Sequence, residues 1–111
     1  MNDFNNIYTM IIINSAEIQN FCKKHSDAQI ALSRWHSLIK MADCLSWNEL
    51  KLFFNSVDNV GNDHYVFNIK GNKYRLIAVI FFQLKTVNIR RICTHEEYDN
   101  IKPKPDAISK L

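Results

Sequence analysis

The residues best suited to chemistry on phosphate lie in one stretch of the sequence, His64–Tyr98. Arg75 stands near the start of a run of β-forming residues, and His95 follows the next such run, where a short helical pattern begins. Arginine binds phosphate through two parallel N–H donors, and histidine can act as base or acid near neutral pH. Arg75 and His95 therefore have the types needed for metal-free cleavage of RNA, in which cations stabilise the charge of the phosphorane.

Each of these residues also has a more ordinary interpretation. A histidine at a helix start usually serves as a cap or lies on the surface, and an arginine among apolar strand residues either meets a carboxylate or faces a cleft. Tyr98 lies three residues after His95 on the same helical face, where it can stack on a base, donate to a phosphate or pack in the core. Residue types alone leave these alternatives open.

The charge distribution favours an anionic partner for the same stretch. The chain has 111 residues and a net charge of +3. Residues 1–69 hold five Lys/Arg and seven Asp/Glu, whereas residues 70–111 hold nine and four, so the positive excess lies in the second half. A basic half attracts phosphate, although it can equally be a solvated basic face. The candidate contacts to RNA or phosphate in this stretch are Lys73, Arg90 and His64, the last of which can also be a simple strand residue.

Several classes of site are not indicated by the sequence. It contains no P-loop, GxGxxG, HExxH or GxSxG motif, and its carboxylates are too scattered for a magnesium-dependent nuclease. The three cysteines are far apart and lack CxxC spacing, so we expect reduced thiols, no zinc site and no cofactor. The apolar run Ile7–Ile13 is too short for a membrane span or a signal peptide, so we expect a cytoplasmic protein without a membrane partner.

The first half of the chain predicts a strand followed by helices. Ile7–Ile13 is rich in β-branched residues, and Ala16–Lys24 has the 3–4 spacing of an amphipathic helix. Asp27 can cap a second helix, and a Ser-to-Glu capping-box spacing predicts a third helix from Trp47 to about Phe54. The apolar face predicted for the second helix comprises Ile30, Leu32, Trp35, Leu38, Ile39 and Ala42.

The second half predicts an antiparallel meander. His64–Ile69 and Lys73–Phe82 are β-type runs joined by a turn in which Gly71 tolerates positive φ, and Thr86–Cys93 follows as a third strand. A short last helix, His95–Ile101, completes the pattern. This order of elements predicts an α+β domain in which the N-terminal helices cover one face of an antiparallel sheet.

The predicted strand Lys73–Phe82 also positions the candidate site. Alternation places Lys73, Arg75, Ile77 and Val79 on one face, and the meander brings Arg75 and His95 toward one end of the sheet. We expect one domain over residues 1–102. The two prolines and the lysines near the end predict a flexible tail over residues 103–111.

Two segments resemble the HigB family of type II toxins, which is similar to the RelE/ParE superfamily. They are residues 63–78, DHYVFNIKGNKYRLIA, and residues 94–99, THEEYD, with Ile89-Arg90 between them. Both segments are distinctive, and the likeness extends over roughly residues 9–101.

The resemblance implies a microbial-RNase-like fold and metal-independent cleavage of mRNA in the ribosomal A site. It implies a HigA-type helix-turn-helix antitoxin, with operator DNA bound only through the toxin–antitoxin complex. By this resemblance Arg75 matches a strand arginine that contacts the scissile phosphate, His95 matches a catalytic loop-to-helix position, and Tyr98 lies near a helix tyrosine. Lys70 and Lys73 are similar in location to lysines that hold RNA. Some members of the superfamily inhibit gyrase without cleaving RNA, which is the alternative function.

Overall fold

The computed structural model describes residues 9–102, 104 and 106–111. In this part of the chain five strands form one sheet, accompanied by four α-helices and two 3₁₀ turns. The strands are β1 (Ile11–Ile13), β2 (Val57–Gly61), β3 (His64–Ile69), β4 (Tyr74–Phe81) and β5 (Thr86–Thr94). The helices are α1 (Ala16–Lys24), α2 (Gln29–Ala42), α3 (Trp47–Phe53) and α4 (His95–Asp99), and the 3₁₀ turns are Ser26–Ala28 and Ile108–Lys110. The predicted α+β class is confirmed.

The sheet has the strand order β1-β5-β4-β3-β2. Strands β2 to β5 pair antiparallel with their sequence neighbours, as the meander prediction requires. Strand β1 pairs with β5 in parallel, so the complete sheet is mixed. The sequence patterns did not predict β2, and of the predicted strand Ile7–Ile13 the first two residues lie outside the described part of the chain.

The main core lies between one face of the sheet and the helices. Leu32, Trp35 and Ile39 of α2 are buried against this face, and the Trp35 ring meets the Phe67 ring edge-on at 5.4 Å. Burying side chains of this size stabilises the fold by roughly 1.5–3 kcal/mol each. Because alternate residues face opposite ways, a one-residue slip of β4 would turn Arg75 into this core. Packing of the helices therefore fixes which face carries Arg75.

Two residues of the apolar face predicted for α2 are not in the core. Ile30 is 74% exposed and Leu38 is 40% exposed, so their assignment to the buried face is wrong. The buried face comprises Leu32, Trp35, Ile39 and Ala42, which lie three or four residues apart. At a rotation of 100° per residue, Ile30 and Leu38 fall outside this face. Together with Met41 and Phe53 they line a groove of about 880 Å³ between α2 and α3.

The second face of the sheet carries a smaller core. Val66 and Ile77 are buried there with Ile108, which is 0% exposed, and Tyr98 and Ile101 pack against them. The end of the chain is held by two further contacts, from Asn62 Nδ2 to the Ser109 carbonyl at 2.8 Å and from Arg90 Nε to the Leu111 carbonyl at 2.7 Å. Pro103 and Pro105 of the predicted flexible tail lie outside the described residues.

In residues 9–102, 104 and 106–111 no helix has both the length and the apolar content needed to cross a bilayer.

Candidate active site

Arg75 projects from β4 on the sheet face opposite the main helices, and only 8% of the residue is exposed. Its Nη1 donates to the carbonyls of Asn72 and Tyr74, both at 3.2 Å, and its Nη2 donates to Asn72 Oδ1 at 2.7 Å. The same Nη2 lies 2.9 Å from His95 Nδ1. Neutral acceptors thus hold the guanidinium in one orientation, and no carboxylate in the described residues is bonded to it. Its positive charge is left for an anionic ligand.

The turn between β3 and β4 supplies the acceptors that hold the Arg75 guanidinium. Lys70 and Gly71 both have positive φ, at 53° and 64°, so the predicted conformation of Gly71 is confirmed. This backbone reverses the chain within four residues and closes with a hydrogen bond from the Lys73 N–H to the Lys70 carbonyl at 3.2 Å. Asn72 is thereby carried back over the start of β4, where both of its oxygens reach Arg75.

His95 is positioned by the start of α4. Thr94 forms a capping box, in which its Oγ1 accepts from the Glu97 N–H at 3.0 Å and its own N–H donates to Glu97 Oε1 at 2.8 Å. The His95 N–H also donates to the Lys73 carbonyl at 2.9 Å, which ties α4 to the start of β4. His95 therefore meets Arg75 because the capped helix and the sheet share an edge.

Tyr98 completes the cluster on the same face. Its ring centroid lies 5.4 Å from Arg75 Cζ and 4.7 Å from Lys104 Nζ, so two cations contact one aromatic ring. Burial raises the pKa of the Tyr98 hydroxyl. At neutral pH the residue is accordingly a phenol that can donate a proton or a hydrogen bond. The structure thus brings together Arg75, His95 and Tyr98, the three candidates for catalysis.

A groove of about 630 Å³ opens beside this cluster, at the end of the sheet that carries the β3–β4 turn. Lys24, His25, Lys73 and His95 are among its lining residues. The His25 ring stacks on Phe21 with 4.5 Å between centroids and lies 5.4 Å from the Tyr74 ring. No sequence pattern indicated a role for His25, because only the folded chain brings α1 beside β4.

Asp27 and Lys73 line the groove, and Asp27 pairs with both Lys70 and Lys73. Lys70 Nζ is 3.1 Å from Asp27 Oδ2, Lys73 contacts the same oxygen, and the Tyr74 hydroxyl donates to Oδ1. Asp27 was predicted to cap the second helix, but it lies in the 3₁₀ turn before α2 and makes no capping bond. It binds the β3–β4 turn instead, so an RNA phosphate would share the two lysines with this carboxylate.

The Asp27 cluster predicts a pH-dependent contribution to stability. Hydrogen bonds from Lys73, Tyr74 and Lys70 hold the pKa of the Asp27 carboxyl well below its ordinary value of about 4. As pH falls, the unfolded chain binds this proton first, so the stabilisation is complete above about pH 5 and is lost in more acidic solution. We expect Asp27→Asn to lower the free energy of unfolding at pH 7, with a difference from wild type that shrinks toward pH 3. Urea unfolding at several pH values measures this.

Glu17→Gln is the matched control for Asp27→Asn, because Glu17 is an exposed carboxylate on the neighbouring helix α1. Its difference from wild type should change much less between pH 7 and pH 3. A difference for Asp27→Asn that is the same at both pH values would contradict the assignment of the pairing to the carboxylate.

Arg90 and His64, the other candidate RNA contacts, are not brought beside Arg75. Arg90 is exposed on β5 within a register shift of the sheet and donates to the Leu111 carbonyl. His64 starts β3 opposite Val79, at the far end of the strand from the residue that pairs with Arg75. His64 is 5% exposed, its Nδ1 lies 2.6 Å from the Asn62 carbonyl, and its buried Nε2 has no partner in the described residues.

The donor set of the site suits anions better than metal ions. In residues 9–102, 104 and 106–111 no three His, Cys, Asp or Glu side chains form a group that could hold a metal. Cys93, the cross-strand neighbour of Arg75, is buried as a free thiol, and burial raises its pKa.

Comparisons with known proteins identify the family. Residues 28–101, more than half of the chain, match the model of HigB_toxin, described as the RelE-like toxic component of a toxin-antitoxin system. The mRNA interferase toxin HigB of Escherichia coli (strain K12) is 46% identical over 52 residues, which cover 45% of this chain and 50% of that protein. The mRNA interferase HigB of Escherichia coli O6:H1 is 32% identical over 94 residues, which cover 83% of this chain and 91% of that protein.

The matched region contains the whole Arg75, His95 and Tyr98 cluster and strands β2 to β5 of the sheet that supports it. The longer match, to the O6:H1 relative, extends over most of both proteins, whereas the match to the K12 relative spans half of that protein's length. The five-stranded α+β domain is consistent with a RelE-like toxin. The chain belongs to the HigB toxin family.

Proposed function

We propose that the chain is an mRNA endoribonuclease that acts on ribosome-bound message and inhibits translation. The observation that carries this proposal is a contact of 2.9 Å between His95, which lines the groove, and a nearly buried Arg75 that pairs with no carboxylate in the described part of the chain. The relatives' names, mRNA interferase, support the same activity. A basic, hydrogen-bonded pocket of this kind suits stabilisation of a phosphorane.

The reaction we propose is internal transfer of the scissile phosphate. The 2′-oxygen loses its proton and bonds to phosphorus while the bond from phosphorus to the 5′-oxygen breaks, which leaves a 2′,3′-cyclic phosphate and a 5′-hydroxyl. Arg75 binds the non-bridging oxygens, on which charge accumulates. Of His95 and Tyr98, one takes the proton of the 2′-hydroxyl and the other gives a proton to the 5′-oxygen. Tyr98 can be the proton donor because it is a phenol at neutral pH. These steps use side chains alone, so the proposed reaction is metal-independent.

The remaining candidate contacts would bind the rest of the RNA. Lys73 lines the groove, Lys70 pairs with the same Asp27, and both lysines can hold flanking phosphates in competition with that carboxylate. Arg90 is exposed on β5 and can reach the backbone of a longer strand. His64 stays the least supported contact, because it is buried.

The proposed partners follow from the family and from the activity. Membership of a toxin-antitoxin family implies an antitoxin, and we propose a HigA-type helix-turn-helix protein through which the complex binds operator DNA. The ribosomal A site and its mRNA are the proposed target, and the cytoplasm is the compartment in which they meet.

Expression of the chain without an antitoxin tests the proposed function. We expect growth arrest together with new 5′ ends in mRNA at positions linked to codons, because cleavage on the ribosome follows the reading frame. His95→Ala should remove both effects if it folds, as judged by circular dichroism. Growth arrest without new 5′ ends, accompanied by altered plasmid supercoiling, would instead support a gyrase inhibitor.

A further inference from the structure

The two ring nitrogens of His95 have different partners. Nδ1 lies 2.9 Å from Arg75 Nη2, and Nε2 lies 3.0 Å from Asp99 Oδ2. A guanidinium has only donors and stays protonated in proteins, so Nδ1 must be the acceptor in the first contact. The ring proton is then on Nε2, the nitrogen that lies 3.0 Å from the Asp99 carboxylate as an ion-pair contact. The His95 ring therefore has the guanidinium of Arg75 at one nitrogen and the carboxylate of Asp99 at the other.

Asp99 is the last residue of α4, and the helix sets its position relative to His95. It follows His95 by four residues, which places the two side chains on one helical face. Its side chain is 56% exposed and belongs to neither apolar cluster, so its removal leaves the cores intact. The following residue, Asn100, closes the helix with N–H bonds to the Glu96 and Glu97 carbonyls, both at 3.2 Å. The helix therefore does not depend on the Asp99 carboxylate.

We propose that Asp99 is a positioning residue that makes His95 the general base, an inference that rests on the proposed function. The carboxylate keeps the neutral imidazole as the Nε2–H tautomer and leaves Nδ1 as its basic nitrogen. When a scissile phosphate takes the N–H donors of Arg75, Nδ1 becomes free. The proton of the 2′-hydroxyl moves to Nδ1, the 2′-oxygen bonds to phosphorus, and the released 5′-oxygen takes the proton of Tyr98.

His95 becomes positively charged when it takes the proton, and the Asp99 carboxylate stabilises that charge. Once Nδ1 is protonated, the imidazolium lies between the guanidinium of Arg75 and the carboxylate of Asp99. Asp99 stabilises this cation through the Nε2–H donor, in the way that a carboxylate supports the histidine of a hydrolase triad. An exposed ion pair four residues apart adds little to the stability of a helix, so loss of stability should be slight.

The first readout is the tautomer of His95, which requires no activity. Long-range ¹H–¹⁵N correlation spectra report which imidazole nitrogen carries the proton, with the His95 signals assigned by their absence in His95→Gln. We expect the Nε2–H form in the wild-type protein and in Asp99→Asn, whose amide oxygen can still accept. Because Arg75 also favours this tautomer, the contribution of Asp99 is read in an Arg75→Ala background, in which no guanidinium donates to Nδ1. There the Nε2–H preference should persist with Asp99 and weaken in Arg75→Ala/Asp99→Ala, and an equal preference in these two variants would overturn the proposal.

The second readout is cleavage of a defined mRNA on programmed ribosomes by the purified 111-residue chain. We expect Asp99→Ala to lower kcat by roughly 10- to 100-fold with KM within about twofold, as part of the contribution of general-base catalysis. Asp99→Asn should fall between the two, and Asp106→Asn, an exposed carboxylate in the C-terminal segment, should cleave like wild type. A wild-type kcat in Asp99→Ala would overturn the proposal. If wild type itself does not cleave, the proposed function fails, and the tautomer alone then decides the role of Asp99.

Discussion

Replacing Arg75 with alanine is expected to lower mRNA cleavage by at least about 10²- to 10³-fold and to abolish growth arrest. Loss of a single preorganised donor to a developing anion costs that much in other enzymes, and Arg75 supplies a charge together with two donor nitrogens. The guanidinium is already held beside His95 by Asn72 and by the Tyr74 carbonyl, so its position is set before phosphate binds. Cleavage on programmed ribosomes and growth after expression of the chain alone measure the effect.

Three further variants separate chemistry from folding in this experiment. Arg75→Gln keeps hydrogen-bond donors toward Asn72 and removes the charge, so it should fold and stay inactive. Arg75→Lys keeps the charge without the paired donors and should retain partial activity. Arg34→Ala removes an exposed arginine on the helix side of the sheet and should behave like wild type. Full toxicity of a folded Arg75→Gln chain would refute the proposed role of the guanidinium.

The elements that local patterns define were predicted well from the sequence. α1 has the predicted bounds, and the strands of the meander agree with prediction to within about one residue because their alternation and turn residues are strong signals. β2 was not predicted, since Val57-Asp58-Asn59-Val60-Gly61 is poor in apolar residues and becomes a strand only by pairing with β3. The parallel pairing of β1 with β5 joins distant parts of the chain, which no local pattern reports.

The candidate site shows the same division between local and long-range information. Alternation placed Arg75 on the correct face, and the helix start at Thr94 placed His95 at the correct end of the sheet. Asp99 could have been found from its spacing of four residues after His95. The pairing of Asp27 with Lys70 and Lys73 could not, because it spans more than forty residues and depends on how the helices pack. Long-range electrostatic partners of this kind require the fold.

The C-terminal segment gives the second prediction with a large expected effect. Ile108 is fully buried with Val66 and Ile77, on the sheet face that also carries Arg75. A carboxylate cannot remain in this apolar site unpaired, so Ile108→Asp should detach the segment and lower the free energy of unfolding by roughly 2–4 kcal/mol. Urea unfolding at pH 7 measures the loss. Lys110→Asp, which introduces the same charge at an exposed neighbouring position, should change stability by less than about 0.5 kcal/mol.

Amide hydrogen exchange then distinguishes the two descriptions of residues 103–111. The sequence predicts a flexible tail, whose amides would exchange fast in wild type and in Ile108→Asp alike. The contacts of Ile108 predict a docked segment, in which the Leu111 N–H, bonded to the Ile108 carbonyl at 3.1 Å, is protected in wild type and exposed in the variant. If the segment is docked, its loss would uncover Val66 and Ile77 beside the guanidinium of Arg75. Docking of the segment would then affect the polarity around Arg75 as well as the stability of the fold.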